Sequence, residues 1–234
     1  MILVSSSGGS GSSFLGKAFR KSGWKVCLRP DGGRQKANRT AVSIWMERTK
    51  PFFKCSKNMS GASDRKMFDV VYENLKNRKN TMLLSMTWGG MGLFNGLEKA
   101  YPVYLIRNPL HAFVSYSGGG WRSEGGARRI KYVGATSPND KIWVDQFFGD
   151  FALWLNGAKQ ALIARSSGTG FIVRYHAFKK DWKVVCGRLG APDITNKFSC
   201  SDSMDKVRRV LTVETIDYIN NLVGNVWAEI DNDK

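Results

Sequence analysis

The chain has 234 residues, 42% of them hydrophobic, and this size and composition fit one domain with a buried core. The 36 basic residues outnumber the 19 acidic ones, and the resulting formal charge of +17 indicates an anionic partner without choosing among nucleotide, nucleic acid, acidic glycan and membrane surface. The four cysteines lie far apart without a Cys-x-x-Cys pair, which argues against a structural zinc site and a disulfide framework.

The predicted elements begin with a short apolar run at residues 2–4, which is too short for a signal peptide or a membrane span. We therefore expect a cytoplasmic protein without a membrane span. Four further runs have the length of buried strands: residues 25–28, 81–85, 103–106 and 170–174. Helices are predicted between and after the strands, at residues 13–22, 63–78, 109–116, 140–165 and 205–230, the last with a possible break. This alternation predicts an α/β fold, a single domain over residues 1–234 in which helices flank a central parallel sheet.

A turn rich in glycine and serine follows the first predicted strand and leads into the first predicted helix. The turn consists of Gly9, Ser10, Gly11, Ser12, Ser13 and Phe14. In this position several backbone N–H groups and the positive end of the helix dipole face one point, which suits a phosphate-like anion. The glycines permit positive φ and close approach of the backbone, and the serines of the helix start add hydroxyl donors.

Two common nucleotide-binding motifs fit this turn poorly. A P-loop nucleotide kinase or ATPase needs a lysine before its Ser or Thr, and Ser12 stands at that position. A dinucleotide fold needs a third glycine where Phe14 stands. The kinase remains an alternative interpretation. A nonenzymatic, basic nucleic-acid-binding protein is a further alternative that rests on charge alone, since no recognised binding module is present, and we expect no specific nucleic-acid partner.

A second notable segment begins at the end of the fourth predicted strand. Arg107 ends this strand, Asn108 is placed to cap the next helix, and Pro109 suits the first helical position. Open parallel sheets bind ligands at the carboxyl edge of their strands, and a guanidinium there is suited to a phosphate. The segment therefore predicts a second anion contact, separate from the turn.

Together the two segments resemble signatures of the sulfotransferase superfamily. Residues 10–16 (SGSSFLG) are similar to the 5′-phosphosulfate loop of carbohydrate sulfotransferases, and residues 104–109 (YLIRNP) are similar to the family's Tyr-Leu-x-Arg-[Asp/Asn]-Pro stretch. The resemblance implies a P-loop NTPase-like fold and 3′-phosphoadenosine 5′-phosphosulfate (PAPS) as the sulfuryl donor. It also implies that the turn holds the 5′ end of PAPS, and that Arg107 and Ser115 hold the 3′-phosphate.

A third segment, residues 172–178, resembles the family's Arg-Tyr-Glu-Asp-Leu strand end, where Tyr175 would lie near the nucleotide. The acceptor implied by the resemblance is a hydroxyl or an amine, on a small molecule or a carbohydrate. The chain departs from the family at Gly9, where a Lys or Arg is usual. That cation is therefore absent or comes from elsewhere, with Lys17, Arg29, Arg34 and a residue of the loop at 117–138 as candidates. The oligomeric state stays open.

The catalytic base is the least certain part of this interpretation. Sulfuryl transfer needs a base near the acceptor, and Trp88 stands where cytosolic sulfotransferases carry a histidine. Asp31 resembles the carboxylate that follows the second strand in related sulfotransferases, although an Asp-Gly-Gly turn explains it equally well. His176, at a strand end, is the second candidate, whereas His111 fits packing or capping better. We expect no metal ion at the site.

Residues 117–138 are rich in Gly, Arg and Ser and lack the periodicity of a helix or a strand. A loop of this length inside a compact domain is usually functional. We therefore predict that residues 117–138 form a lid over the acceptor.

Overall fold

Five parallel strands form the centre of the computed structural model, which describes residues 1–6, 9–29, 73, 77–85, 101–118, 154–155, 157–200, 202–209 and 211–232. The strands are β1 (Ile2–Ser6), β2 (Lys25–Arg29), β3 (Thr81–Ser85), β4 (Val103–Ile106) and β5 (Phe171–Arg174). Their order across the sheet is β2-β3-β1-β4-β5, and each neighbouring pair is parallel. The five predicted strands and the parallel sheet are thus confirmed.

Helices cover both faces of this sheet. They are α1 (Ser12–Lys21), α2 (Pro109–Gly118), α3 (residues 157–166), α4 (Phe178–Leu189), α5 (Met204–Arg208) and α6 (Val213–Asp231), with a 3₁₀ turn at Thr195–Lys197. The predicted break within residues 205–230 is confirmed, because α5 and α6 are separate helices. Each begins at its own cap: the Ser203 hydroxyl accepts from the Lys206 amide, and the Thr212 hydroxyl accepts from the Thr215 amide.

Some predicted segments lie partly or wholly outside the described residues. Glu73 is the one described helical residue of the predicted helix at 63–78, and the predicted helix at 140–165 is described as helical at residues 154–155 and in α3. Of the predicted lid at 117–138, residues 117 and 118 belong to the end of α2, and the remainder lies outside the described ranges. None of the described helices has both the length and the apolar character needed to cross a lipid bilayer.

Strand β4 shows why the sheet is covered on both faces. Val103 and Leu105 pack on the face covered by α1 and α4, while Tyr104 and Ile106 pack on the face covered by α2, α3 and α6. Successive side chains of a strand point to opposite faces, so a strand buried on both sides reads as a continuous apolar run. Burial raises the pKa of Tyr104 to about 12, and this tyrosine is a neutral core residue.

The helices that follow β1 and β4 lie on opposite faces of the sheet, although β1 and β4 are neighbours. Helix α1 contributes Leu15 and Phe19 to one core, and α2 contributes Leu110 and Phe113 to the other. Where neighbouring strands send their connections to opposite sides, a crevice opens at the carboxyl edge, and open α/β sheets bind ligands there. The glycine-serine turn and Arg107 both lie at this edge.

Candidate functional site

The glycine-serine turn has two positions that only glycine fits well. Gly9 and Gly11 have φ values of 73° and 89°, in the left-handed region. A Cβ atom on Gly9 would lie 2.7 Å from the carbonyl oxygen of Ala112 in α2. One on Gly11 would lie 2.9 Å from Cε2 of Tyr175, just after β5. The turn is therefore held closely between α2 and the end of β5, and the predicted positive φ is confirmed.

The turn passes directly into α1 without a side-chain cap. Gly11 is the N-cap residue, its carbonyl accepts from the Leu15 amide at 3.0 Å, and the first turn carries no acidic residue. Backbone N–H groups at an uncapped helix start and the helix dipole both favour an anion. Ser10 is buried and Ser12 is half-buried at this point.

Phe14 has a different position from the rest of the turn, because its ring points into the core. Its ring centroid lies 5.3 Å from that of Phe198 and 6.0 Å from that of Phe178. Because the ring packs in the core, Phe14 can contact a ligand only through its backbone amide. The side chain of Ser13 lies outside the described part of the structure.

The side chain of Arg107 lies at the centre of the site and is buried, with 7% of its surface exposed. Its Nη1 donates to the Gly9 carbonyl at 2.7 Å, and its Nε donates to Asp202 Oδ1 at 3.0 Å. Nη2 donates to the same Asp202 oxygen. The guanidinium carbon also lies 4.3 Å from the centre of the Tyr175 ring. Arg107 thus joins the turn, the end of β5 and the segment around Asp202.

Helix α2 brings Ser115 to the same place. Asn108 Oδ1 accepts from the Leu110 amide at 3.0 Å, which confirms Asn108 as the cap that positions α2 after Arg107. Ser115 Cβ lies 3.3 Å from the position that a Cβ on Gly9 would take. Gly9 therefore contacts Arg107 on one side and the neighbourhood of Ser115 on the other.

His111 lies in the first turn of α2 and is half-buried. Burial lowers the pKa of His111, while the nearby Asp202 carboxylate acts in the opposite direction. The positive charges of Arg107 and Lys206, and that of His176, favour the neutral imidazole as well. The site therefore contains a cluster of interacting charges beside the turn.

His176, predicted as a second candidate base, contacts the end of α6. Its Nε2 lies 3.0 Å from Asp231 Oδ1, and its ring packs edge-on against Trp227 with centroids 5.8 Å apart. The side chain is 40% exposed. Arg174, two residues before His176, donates to the Asp231 carbonyl at 2.8 Å, so both side chains contact the C-terminal turn of α6.

Other predicted groups are not brought into this arrangement by the described residues. Asp31 and Arg34 lie outside them, as does the side chain of Arg29, and Lys17 is exposed on α1. Over the described ranges, no group of three or more His, Cys, Asp or Glu side chains is placed to hold a metal ion.

Asp202 is the site residue that sequence reasoning missed. It lies 95 positions after Arg107, in the segment Ser-Asp-Ser that resembles ordinary loop sequence. No local pattern links such distant residues, because the pairing arises from tertiary folding alone.

No protein-family model matches the chain, and no curated protein sequence is significantly similar to it. The site is therefore defined by this chain's own residues. It is the carboxyl edge of a parallel α/β sheet at which a glycine turn, a helix start and a buried arginine meet.

Proposed function

We propose that the protein is a PAPS-dependent sulfotransferase that acts on a hydroxyl or amine acceptor, of the small-molecule or carbohydrate class. The observation that carries this proposal is the position of Gly9. Its carbonyl accepts from Arg107, and its α-carbon lies beside Ser115, so two signatures about 100 residues apart meet at one edge of the sheet. If the two short segments resembled the family by chance, there would be no reason to expect them to lie next to each other in the fold.

The turn and the start of α1 supply the groups that would hold the 5′ end of PAPS. The uncapped backbone N–H groups of α1 suit the phosphosulfate, together with the hydroxyls of Ser10 and Ser12. At the other end of the nucleotide, Arg107 and Ser115 would bind the 3′-phosphate, and Tyr175, whose ring faces Arg107, would border the nucleotide.

When bound, PAPS supplies an activated sulfuryl group: a bond from sulfur to the acceptor forms, the bond from sulfur to the 5′-phosphate oxygen breaks, and adenosine 3′,5′-bisphosphate leaves. The backbone N–H groups of the turn would stabilise the charge that develops on the departing oxygen. A base takes the proton of the acceptor, and Asp31 is our first candidate, with His176 as the second. Lys17, exposed on α1, is a candidate for the cation that Gly9 cannot provide.

The proposal extends to the wider architecture. The parallel sheet flanked by helices is a P-loop NTPase-like fold in this interpretation, and residues 1–234 form one sulfotransferase domain with residues 117–138 as the acceptor lid. The reaction takes place in the cytoplasm and uses no metal ion.

Calorimetric titration tests this function directly. We expect adenosine 3′,5′-bisphosphate to bind without magnesium, and ATP with magnesium not to bind. Arg107→Ala should weaken bisphosphate binding by about thirtyfold, because a charge-assisted hydrogen bond to phosphate contributes roughly 2 kcal/mol. Arg188→Ala, which removes the same charge from an exposed position in the last turn of α4, should leave binding unchanged. Binding of ATP with magnesium in place of the bisphosphate would favour the nucleotide-kinase alternative.

A further inference from the structure

Each of the three guanidinium nitrogens of Arg107 donates one hydrogen bond to a protein group, which uses three of its five N–H groups. Nε and Nη2 donate to one oxygen of Asp202, and Nη1 donates to the Gly9 carbonyl. The carboxylate of Asp202 is itself only 10% exposed, so the pair is shielded from solvent. A phosphate that binds Arg107 through Nε and Nη2 must therefore take the place of this carboxylate.

In the pair between Arg107 and Asp202, one of the two carboxylate oxygens accepts both hydrogen bonds. Both N–H groups of the arginine converge on Oδ1, whereas the strongest arginine pairs place one N–H group on each of two oxygens. A phosphate monoester carries up to two negative charges and three terminal oxygens, so it can accept both N–H groups separately. The carboxylate is thus a weaker partner than the phosphate for the same guanidinium.

Asp202 lies between two well-anchored points of the chain. Before it, the buried Phe198 ring stacks on Phe178, with centroids 4.3 Å apart. After it, the Ser203 hydroxyl caps α5 by accepting from the Lys206 amide at 3.4 Å. The intervening Cys200 is exposed, and the described residues 199–200 and 202–203 belong to no helix or strand.

We propose that Asp202 occupies the phosphate position on Arg107 and thereby selects nucleotides that carry a 3′-phosphate. The inference rests on the proposed function. A nucleotide without this phosphate leaves the ion pair with Arg107 intact and gains nothing from the guanidinium. A nucleotide that has the phosphate displaces Asp202 and shifts the segment at residues 199–203. In the absence of ligand, the carboxylate keeps a buried arginine paired, which an empty site would leave uncompensated.

The test compares three anions on the intact protein and on Asp202→Asn. Asparagine keeps an oxygen that can accept from Arg107 but removes the competing charge. We expect adenosine 3′,5′-bisphosphate to bind the variant about tenfold more tightly than the unaltered protein, since the loss of a charged hydrogen-bond partner changes an affinity by about this factor. Adenosine 5′-monophosphate should bind both proteins equally, and inorganic phosphate should bind only the variant. Asp205→Asn, which removes the same charge three residues away, should change none of these affinities.

The outcomes separate this inference from the proposed function. If the bisphosphate binds the unaltered protein and Asp202→Asn binds it no more tightly, the inference is wrong and the function stands. If neither protein binds the bisphosphate but the variant binds inorganic phosphate, the function is wrong and the competition at Arg107 stands. If Asp205→Asn gives the same gain as Asp202→Asn, the effect is one of net charge and the inference is wrong. Binding of none of the anions overturns both.

A second measurement covers the case in which Asp202→Asn does not fold. Hydrogen exchange on the unaltered protein should become faster at residues 199–203 when the bisphosphate binds, while it becomes slower in the glycine-serine turn. Adenosine 5′-monophosphate should slow exchange in the turn alone. Unchanged or slower exchange at residues 199–203 with the bisphosphate would contradict the displacement of Asp202.

Discussion

Arg107 and Arg174 stand at the ends of the neighbouring strands β4 and β5, and both are 7% exposed. Each forms an ion pair with an aspartate, but the pairs differ in connection. Asp181, seven residues from Arg174, accepts with both oxygens and also binds the Arg174 amide at 2.8 Å. Asp202 accepts from Arg107 with one oxygen and lies 95 residues away.

This difference separates a structural arginine from the one to which we assign the nucleotide phosphate under the proposed function. Nη1 of Arg174 donates to the Asp231 carbonyl at 2.8 Å, so the guanidinium of Arg174 links β5 to α4 and α6. The guanidinium of Arg107 faces the glycine turn and the Tyr175 ring, at the edge where ligands bind. Burial and charge pairing alone do not distinguish the two residues, whereas the geometry of the carboxylate does.

The largest effect should come from removing the structural arginine. Arg174→Ala leaves Asp181 buried without its partner, and we expect the free energy of unfolding to fall by roughly 3–5 kcal/mol. Arg107→Ala should lower it by only about 1–2 kcal/mol, because the segment that carries Asp202 can move its carboxylate to solvent. Urea unfolding curves measure both values. An equal loss in the two variants would contradict the distinction between the arginines.

His176 lies on the structural side of this comparison, next to Arg174. Both members of its pair with Asp231 are about 40% exposed, and His176→Gln should therefore lower the unfolding free energy by at most about 0.5–1 kcal/mol. Turnover, followed with radiolabelled PAPS and a panel of hydroxyl and amine acceptors, should change little. Asp31→Asn should lower turnover about a hundredfold while bisphosphate binding is retained. The reverse result would identify His176 as the base.

The smallest effect concerns the pKa of His111, which the charge of Asp202 influences and that of Asp181 does not. Because Asp202 raises the pKa of His111 against the larger effect of burial, Asp202→Asn should lower that pKa further, and Asp181→Asn should leave it unchanged. Proton NMR titration of the imidazole measures these shifts. If the pKa of His111 also shifts in Asp181→Asn, the two ion pairs act on the same group, and the distinction between them is wrong.

The same shift makes stability depend on pH. The pKa of His111 in the folded protein lies below its ordinary value of 6.5, so the unfolded chain binds the proton more readily. The stabilising contribution is fully present above pH 6.5 and is lost as the pH falls through the pKa of the folded state. His111→Gln should reduce this loss, as measured by unfolding at pH 7 and pH 5.

The strands could be predicted from sequence because both faces of the sheet are covered. Each strand contains a run of at least three consecutive apolar residues, and the bounds agree with the prediction to within two residues. Helix α4 was not predicted, since its many lysines conceal an apolar stripe. Phe178, Trp182 and Val185 recur at helical spacing and are all buried, so counting the period would have revealed the helix.

Part of the candidate site could be found in the sequence because it lies in short local segments. The structure places Gly9 and Gly11 close to Arg107, Ser115 and Tyr175. The sequence could not indicate that Arg107 already has an anionic partner, because this depends on the distant position of Asp202. The motif identifies Arg107 as a cation, but only the tertiary contacts show that its guanidinium is already paired with a carboxylate.

The contact of Gly9 with α2 also limits how the protein can be engineered. A lysine placed at residue 9 would bring its Cβ to 2.7 Å from the Ala112 carbonyl oxygen, and the backbone of a helix cannot move away as a flexible side chain can. An engineered cation for the departing oxygen would therefore have to be introduced at a position other than residue 9. In this protein, the close contact between the turn and α2 thus excludes a lysine side chain at residue 9.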